Sequence, residues 1–442
     1  PPATRHSQPK TPRIPKEPLF FMKVTLLTIG SRGDVQPYIP LGLGLQQAGY
    51  DVRIATHETF RAFITGHGLD FAPIASNPMD LLESEEGQAW LQAGQNPLKF
   101  IRHFTALTLD RLDEMFTTSL AACQDSGLIL FSMLGVAGYH IAESLGIPAA
   151  MAMLQPFTPT RAFPAVGALT FPLPFGQAQA NFISHQIGEQ VLWLPFRKKI
   201  NKWRTERLGL RPLPFFGPYK QMKETRFPLI YGYSPALIPK PADWGEHIRV
   251  TGYWFLPTKA EWQPPADLAA FLAGGPPPVY IGFGSMVDRD PEGLRQLVLE
   301  ALAELGLRAV LLSGWAKLGA GEVPDSVCVV ESVPHDWLFD RVTTVVHHGG
   351  AGTTAAGLRA GVPSVVTPYF ADQYFWGDRV TEAGVGPTAV PRNKLTVPKL
   401  AAALEQAVND AAMRQKAARL GQKIRAEDGV SEAVCFVQSL AE

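Results

Sequence analysis

Residues 345–354 read Val-Val-His-His-Gly-Gly-Ala-Gly-Thr-Thr, and this stretch is suited above all to holding an anion. The pattern predicts the end of a buried strand, a tight turn, and a helix that begins near Ala351. Gly349, Gly350 and Gly352 let the backbone approach a ligand without Cβ clashes. The backbone N–H groups of Gly350, Ala351, Gly352 and Thr353 then converge at the positive end of the helix dipole. With the imidazole of His348 and two threonine hydroxyls beside them, they suit a diphosphate. One glycine here would be an ordinary strand-to-helix turn; three, with His and Thr, form a phosphate-binding pattern.

Further residues extend this chemistry. Asp372 and Gln373 follow a buried strand expected over 364–367. In open α/β sheets ligands bind at the carboxyl ends of strands, and an Asp beside a Gln can accept from and donate to neighbouring sugar hydroxyls. Taken alone, Asp372 reads as a helix cap. Val333-Pro334-His335 offers backbone hydrogen-bonding groups and a ring on which a flat group can stack. Trp315 is a second stacking residue, although a single Trp near a strand end also fits a core. Ser285, in a Gly-Ser turn, reads equally as a phosphate contact and as a helix start.

Presenting these groups requires parallel strands. The βαβ rhythm begins at Met22 with a strand over 23–29, a turn at 30–34, a helix over 37–48 and a strand over 51–55. It recurs as strand 128–132, helix 135–145 and strand 148–153, with 229–233 as the last strand of this half. A proline-rich connection follows, and the rhythm restarts with strand 279–283, helix 292–305 and strand 308–313. Helical stretches at 397–420 and 431–440 close the chain. Thr28-Ile29-Gly30-Ser31 and Gly282-Phe283-Gly284-Ser285 look like two copies of one strand–Gly–Ser turn. The fold class is therefore α/β, with two Rossmann-like domains facing across a cleft. The expected division is a disordered leader at 1–21, domains at 22–250 and 251–425, and a closing helix at 426–442.

At 442 residues the chain is too long for one ordinary core. Its 40 Lys+Arg balance 40 Asp+Glu, so nothing global points to nucleic acid. Cys123, Cys328 and Cys435 match no metal or redox spacing and read as buried thiols of a reducing compartment. No run of apolar residues is long enough to span a bilayer. The first twenty residues hold six prolines and four basic residues with no apolar core, which reads as a leader or an appended remnant rather than a signal peptide.

Residues 155–181 contain Phe157, Phe163, Phe171 and Phe175 among five prolines, with neither helical nor strand periodicity. Loops are normally polar. An apolar one either walls a pocket for a flat apolar molecule or folds onto its own domain. The stretch 185–208 reads as one helix with Ile187, Val191, Leu194 and Ile200 inward. Its other face carries Arg197, Lys198, Lys199, Lys202, Arg204 and Arg207, either solvated or touching anionic lipid headgroups.

Four motifs in order carry a family resemblance. They are Gly30-Ser31-Arg32-Gly33-Asp34-Val35-Gln36-Pro37, Val333-Pro334-His335-Asp336-Trp337-Leu338-Phe339, the histidine–glycine run at 347–354, and Asp372-Gln373-Tyr374-Phe375-Trp376-Gly377-Asp378-Arg379. Together they resemble the inverting glycosyltransferases of family 1, which have the two-domain GT-B fold. The chain is most similar to the sterol 3-beta-glucosyltransferases and, further off, to bacterial glycosyltransferases of glycopeptide antibiotics. The likeness runs from Met22 almost to the end and is thinnest between about 155 and 226.

The resemblance implies transfer of a hexose, glucose from UDP-glucose, onto the 3-hydroxyl of a sterol; the alternative is a polyketide or glycopeptide acceptor with a UDP- or dTDP-sugar. Many plant relatives place a catalytic histidine after the first strand. This chain has Ser31-Arg32-Gly33-Asp34 there, and its branch of the family assigns the base to Asp34, which otherwise reads as a helix cap. Ser31, Arg32 and Asp34 would also meet the donor, together with Ser285, Trp315, Val333, His335, His348, Gly350, Ala351, Gly352, Thr353, Asp372 and Gln373. Phe157, Phe163 and Phe175 would face the lipophilic acceptor. His57 reads as a packing or capping residue.

Asp288-Arg289-Asp290 is similar to the Asp-x-Asp metal motif of the other major glycosyltransferase fold, but its place before a helix suits caps, so no metal or cofactor is expected. The last helix would cross back to the first domain. Action in the cytoplasm follows, with peripheral membrane contact as its extension. A UDP-sugar epimerase of similar shape would need acid–base residues around the hexose and no apolar channel. A dehydrogenase would need G-x-G-x-x-G at the first turn, which Gly30-Ser31-Arg32-Gly33 is not; Gly42 and Gly44 lie inside the helix.

Overall fold

The computed structural model describes residues 22–76, 105, 108–168, 176–284, 286, 288–314 and 321–441; Ser285, Trp315, Phe175 and the leader at 1–21 lie outside them. Seven parallel strands form the first sheet: β1 (Lys23–Leu27), β2 (Asp51–His57), β3 (Asp70–Ile74), β4 (Leu128–Phe131), β5 (Ala149–Met153), β6 (Leu229–Tyr231) and β7 (Ile248–Val250), in the order β3-β2-β1-β4-β5-β6-β7. Five more form the second: β8 (Val279–Gly282), β9 (Ala309–Leu312), β10 (Val327–Val330), β11 (Val345–His347) and β12 (Ser364–Val366), in the order β10-β9-β8-β11-β12. Strands covered by helices on both faces need unbroken apolar runs rather than alternation. The Leu-Ile-Leu-Phe of β4 is such a run, with every residue 0% exposed.

Strand order reverses between β1 and β4 in the first sheet and between β8 and β11 in the second. Such a reversal opens a crevice at the carboxyl ends of the strands. Out of it run the turn at Gly30 and the turn at His348-Gly349-Gly350, so both motif-bearing loops stand where this architecture holds ligands.

Several expected elements are redrawn. The strand at 229–233 is not the last of its half, because β7 adds to that edge. The stretch 397–420 is two helices, Val397–Asn409 and Ala411–Arg425, because the Asp410 carboxylate accepts from Met413 N and caps a new start. The stretch 185–208 divides into Gln177–Trp193 and Arg197–Arg207. Pro195 lies in the break, where it lacks the N–H that a continuing helix would use. Ile187 and Leu194, expected inward, are 59% and 41% exposed; Ile200 is buried as expected, and Trp193 and Trp203 fill the interior beside it. Cys435 is exposed rather than buried, and all three cysteines are free.

The helix Gly429–Ala441 lies on the first-domain helix Tyr38–Gln47. A Cβ on Gly44 would come 2.5 Å from Val430 Cγ1, which explains a glycine inside a helix despite its conformational cost. The domains also meet through ring contacts of Phe163 with Phe375, 6.0 Å between centroids, and of Tyr233 with Trp376, 6.5 Å.

Candidate active site

A cleft of about 1410 Å³ is lined by both domains. Pockets for one small ligand hold roughly 300–1,000 Å³, so this one has room for two molecules side by side. Its polar part gathers the turns at Gly30 and Gly350 with His335, His348 and Asp372; its apolar part lies inside the first domain.

The anion cradle follows from local structure. Gly350 is the N-cap of the helix Ala351–Ala360, and the first amide to bond back into it is that of Thr354, to Gly350 O at 2.9 Å. The amides of Ala351, Gly352 and Thr353 therefore keep their donors for a ligand. The Thr354 hydroxyl also bonds Gly350 O, so of the two threonine hydroxyls only that of Thr353 remains for an anion. A Cβ on Gly350 would lie 2.5 Å from His348 Nε2, and one on Gly284, where φ is +60°, would lie 2.9 Å from His348 Cε1. Both glycines thus make room for His348, whose Nδ1 is buried without a partner. Burial, then the neighbouring His335, lowers its pKa to about 4, leaving a neutral ring.

The two carboxyl groups come from opposite domains. Asp34 is the third residue of a short helix (Arg32–Val35) and closes a capping box, its Oδ2 accepting from Ser31 N at 2.8 Å and Ser31 Oγ at 2.9 Å. Burial raises its pKa, against those two donors. His57 is buried and accepts the Gly30 amide at its Nε2 at 3.4 Å, a positioning contact. Asp372 starts the helix Gln373–Glu382 but makes no capping bond; its Oδ2 accepts from Trp376 Nε1 at 3.2 Å. Burial, and then the charge of Asp34, raise its pKa to about 7.

Both acids therefore titrate above their unfolded value. The folded chain keeps protons that the unfolded chain has lost, so stability falls as pH rises from about 4 to about 7. Asp372→Asn should raise the melting temperature at about pH 8 and leave it unchanged at about pH 4. Calorimetry at both values checks this; an equal difference at the two would contradict it. The sugar-clamp role expected of this side chain leaves nucleotide binding untouched, so calorimetric titration should also show UDP binding retained in this variant; lost UDP binding would remove Asp372 from that role.

Other expected site residues are placed as follows. Gln373 is 4% exposed; its carbonyl accepts from Tyr369 N and Phe370 N, and its amide nitrogen meets Met286 Sδ. It shapes the loop more than it faces the cleft. The Val333 side chain is buried in the core, whereas the Val333-Pro334-His335 segment lines the cleft. The His335 ring lies on Phe339, 4.5 Å away at 13°, and burial lowers its pKa to about 4. Arg32 stands over Phe63 at 4.8 Å and donates to Gln36. Phe157 lines the cleft, beside Tyr219. Phe163 does not: it is 5% exposed and packs between His185, Trp244 and Phe375 as a domain contact, a correction to its expected role.

An apolar pocket was expected, but most of the walls of the chamber that forms it were missed in the sequence. Its walls are Met115 and Phe116 from the helix Leu112–Cys123, Trp193 and Phe196 around the break at Pro195, and Tyr219 and Met222 from the helix Tyr219–Glu224. The spacing of Leu112, Met115, Phe116 and Ser119 is that of any buried helix face, so nothing local marks it as a ligand wall. Asp336 was also missed; it accepts from Thr258 N at 2.8 Å and from the Thr258 hydroxyl, tying the connection between the domains to the segment that carries His335.

Asp288 is committed to structure. It accepts from Arg392 Nε and Nη2 at 2.6 and 3.0 Å and from Tyr369 Oη at 2.9 Å, while Asp290 caps the following helix through Gly293 N. Among the described residues no cluster of three metal-ligating side chains occurs. With the helix terminus at Ala351 and His348 expected to meet the diphosphate charge, EDTA should leave turnover nearly unchanged, and Asp288→Ala should cost about 3 kcal/mol in urea melts by leaving Arg392 unpaired. A strict Mn²⁺ or Mg²⁺ requirement lost in Asp288→Ala would contradict this.

Comparison with known proteins agrees with this geometry. A model of the glycosyltransferase family 28 N-terminal domain matches residues 24–164, and one of the erythromycin biosynthesis protein CIII-like C-terminal domain matches residues 296–440. A sterol 3-beta-glucosyltransferase of Emericella nidulans is 39% identical over 432 residues, covering 95% of this chain; one of Neurospora crassa is 36% identical over 453 residues, covering 98%. The chain spans only 30% and 28% of the lengths of these two relatives. In fold, the glycotransferase of kitacinnamycin superposes with a TM-score of 0.69 at 20% identity, covering 95% of this chain and 99% of its own. The glycosyltransferase VinC in complex with DTDP does so with a TM-score of 0.66 at 20% identity and the same coverage. Two parallel-sheet domains, matching models at both ends and relatives along nearly the whole length place this chain in the glycosyltransferases of the GT-B fold.

Proposed function

We propose that this chain is an inverting glycosyltransferase that moves glucose from UDP-glucose to the 3-hydroxyl of a sterol. One observation carries the reading: a single cleft joins an anion cradle, two carboxyl groups from opposite domains and an apolar chamber. The names of the similar curated proteins support the sterol, and the chamber suits a flat lipid.

The acceptor oxygen attacks the anomeric carbon from the side opposite the diphosphate, and its proton passes to the Asp34 carboxylate. The bond from that carbon to the diphosphate oxygen breaks, and the electron pair leaves with UDP. The charge that develops there is met by the amides of Ala351, Gly352 and Thr353 and by His348. Preorganised donors of this kind contribute a few kcal/mol each to the transition state. Asp372 holds sugar hydroxyls meanwhile. The step needs no metal in this scheme.

A donor screen by ligand-induced melting shift, followed by product mass spectrometry with a sterol and with a polyketide, tests the reading. UDP-glucose should give the largest shift and only the sterol should gain a hexose. A shift confined to dTDP-sugars, with sugar found on the polyketide, would replace it with the natural-product alternative.

A further inference from the structure

Among the described residues the exposed large hydrophobics are Leu145, Ile187, Leu194, Phe215 and Phe216, at 37%, 59%, 41%, 54% and 65% exposure. Four of these five fall within residues 187–216. Ile187, Gln190 and Leu194 are spaced i, i+3, i+7 along one helical stripe. Gln190 Nε2 donates to Phe216 O at 3.2 Å, and Trp193 Nε1 donates to Phe215 O at 2.7 Å. The two phenylalanine rings lie 5.1 Å apart. Gly217, with φ at +82°, turns the chain back so tightly that a Cβ would meet the Trp193 ring at 2.8 Å. The Phe215-Phe216 tip is therefore a built projection, with the stripe beside it.

Its surroundings are basic. Residues 194–228 hold ten Lys or Arg and two Asp or Glu, a net +8, in a chain whose total is zero. Arg204 is engaged inside with Glu143, and Lys199 is paired with Asp113 at the surface. Lys198, Lys202, Arg207 and Arg211 stay exposed, and the Arg197 guanidinium lies over the Phe215 ring at 4.1 Å.

We propose that this face docks on an anionic membrane surface, with Phe215 and Phe216 inserted among the lipids and the surrounding cations on the headgroups. Apolar side chains at the interface joined to Lys and Arg form the combination that gives reversible peripheral binding. Continuity with the cleft supports a lipid partner over a protein one. Leu192, Trp193 and Phe196 precede the tip, Pro218 and Tyr219 follow it, and all five line the apolar chamber. Docking thus sets the mouth of the chamber at the bilayer, a consequence that rests on the proposed lipid acceptor, whereas docking itself does not.

Flotation of the 442-residue chain with vesicles of phosphatidylcholine, alone or with roughly a third phosphatidylserine, tests this. The chain should float with the anionic vesicles, less so at high salt. The double variants Phe215→Ser/Phe216→Ser and Lys198→Glu/Lys202→Glu should each bind at least roughly tenfold more weakly. Their melting temperatures should stay unchanged, and turnover should fall for vesicle-embedded sterol but not for detergent-dispersed sterol. Vesicle binding equal to that of the unaltered chain in the Phe variant, no binding by the unaltered chain, or a solution dimer abolished by the Phe substitutions would overturn the proposal. Normal flotation without turnover on any sterol would support docking while counting against the acceptor assignment alone.

Discussion

Asp34→Asn is expected to lower transfer by roughly 10²–10⁴ while UDP-glucose still binds. A sterol hydroxyl is a poor nucleophile, so a missing base should be felt fully in the chemical step. The structure makes this substitution a clean one. Only Oδ2 of Asp34 is used by the capping box, through Ser31 N and Ser31 Oγ, and the carbonyl oxygen of Asn can accept the same two bonds. The raised pKa of Asp34 also makes it a better base than an exposed aspartate. Stopped assays for kcat and calorimetric titration for UDP-glucose separate the two effects. If transfer stays near normal, the base lies elsewhere; His57 then remains, although its Nε2 already accepts the Gly30 amide.

His348→Ala is expected to cost about 2–4 kcal/mol of transition-state stabilisation, on the order of 30- to 1,000-fold in kcat. The ring is neutral, with Nδ1 buried and unpaired, so it is preorganised for the leaving group and should act in the transition state more than in binding. The loss should therefore appear in kcat with a small change in KM. Removing it leaves space next to two glycines rather than a buried charge, so far-ultraviolet circular dichroism should be unchanged. A rise in KM alone would assign His348 to ground-state binding.

What the sequence disclosed was local. The cradle at 347–354 is legible because its donors are backbone groups placed by four adjacent residues and the helix after them. Asp34 shows that cap and base are compatible readings, since one carboxyl oxygen serves the turn and the other has no partner described. The walls of the apolar chamber were not legible, because Met115, Trp193 and Met222 come from separate helices and become one wall only after tertiary assembly. Phe163 misled for the same reason. An aromatic in an apolar loop can face a ligand or a neighbouring domain, and Phe375 on the second domain decided it. At 185–208 Pro195 was the available signal for two helices, and the apolar residues taken as inward included two that point out.

The central claim is a single displacement in this cleft, with Asp34 as base. Nuclear magnetic resonance of the product from UDP-glucose and a sterol, made by the chain and by Asp34→Asn in parallel, tests it most directly. The donor carries an α-linked sugar, so the account predicts a β-linked glucosyl sterol from the chain and almost none from the variant. An α-linked product, or β-linked product formed equally by Asp34→Asn, would contradict it.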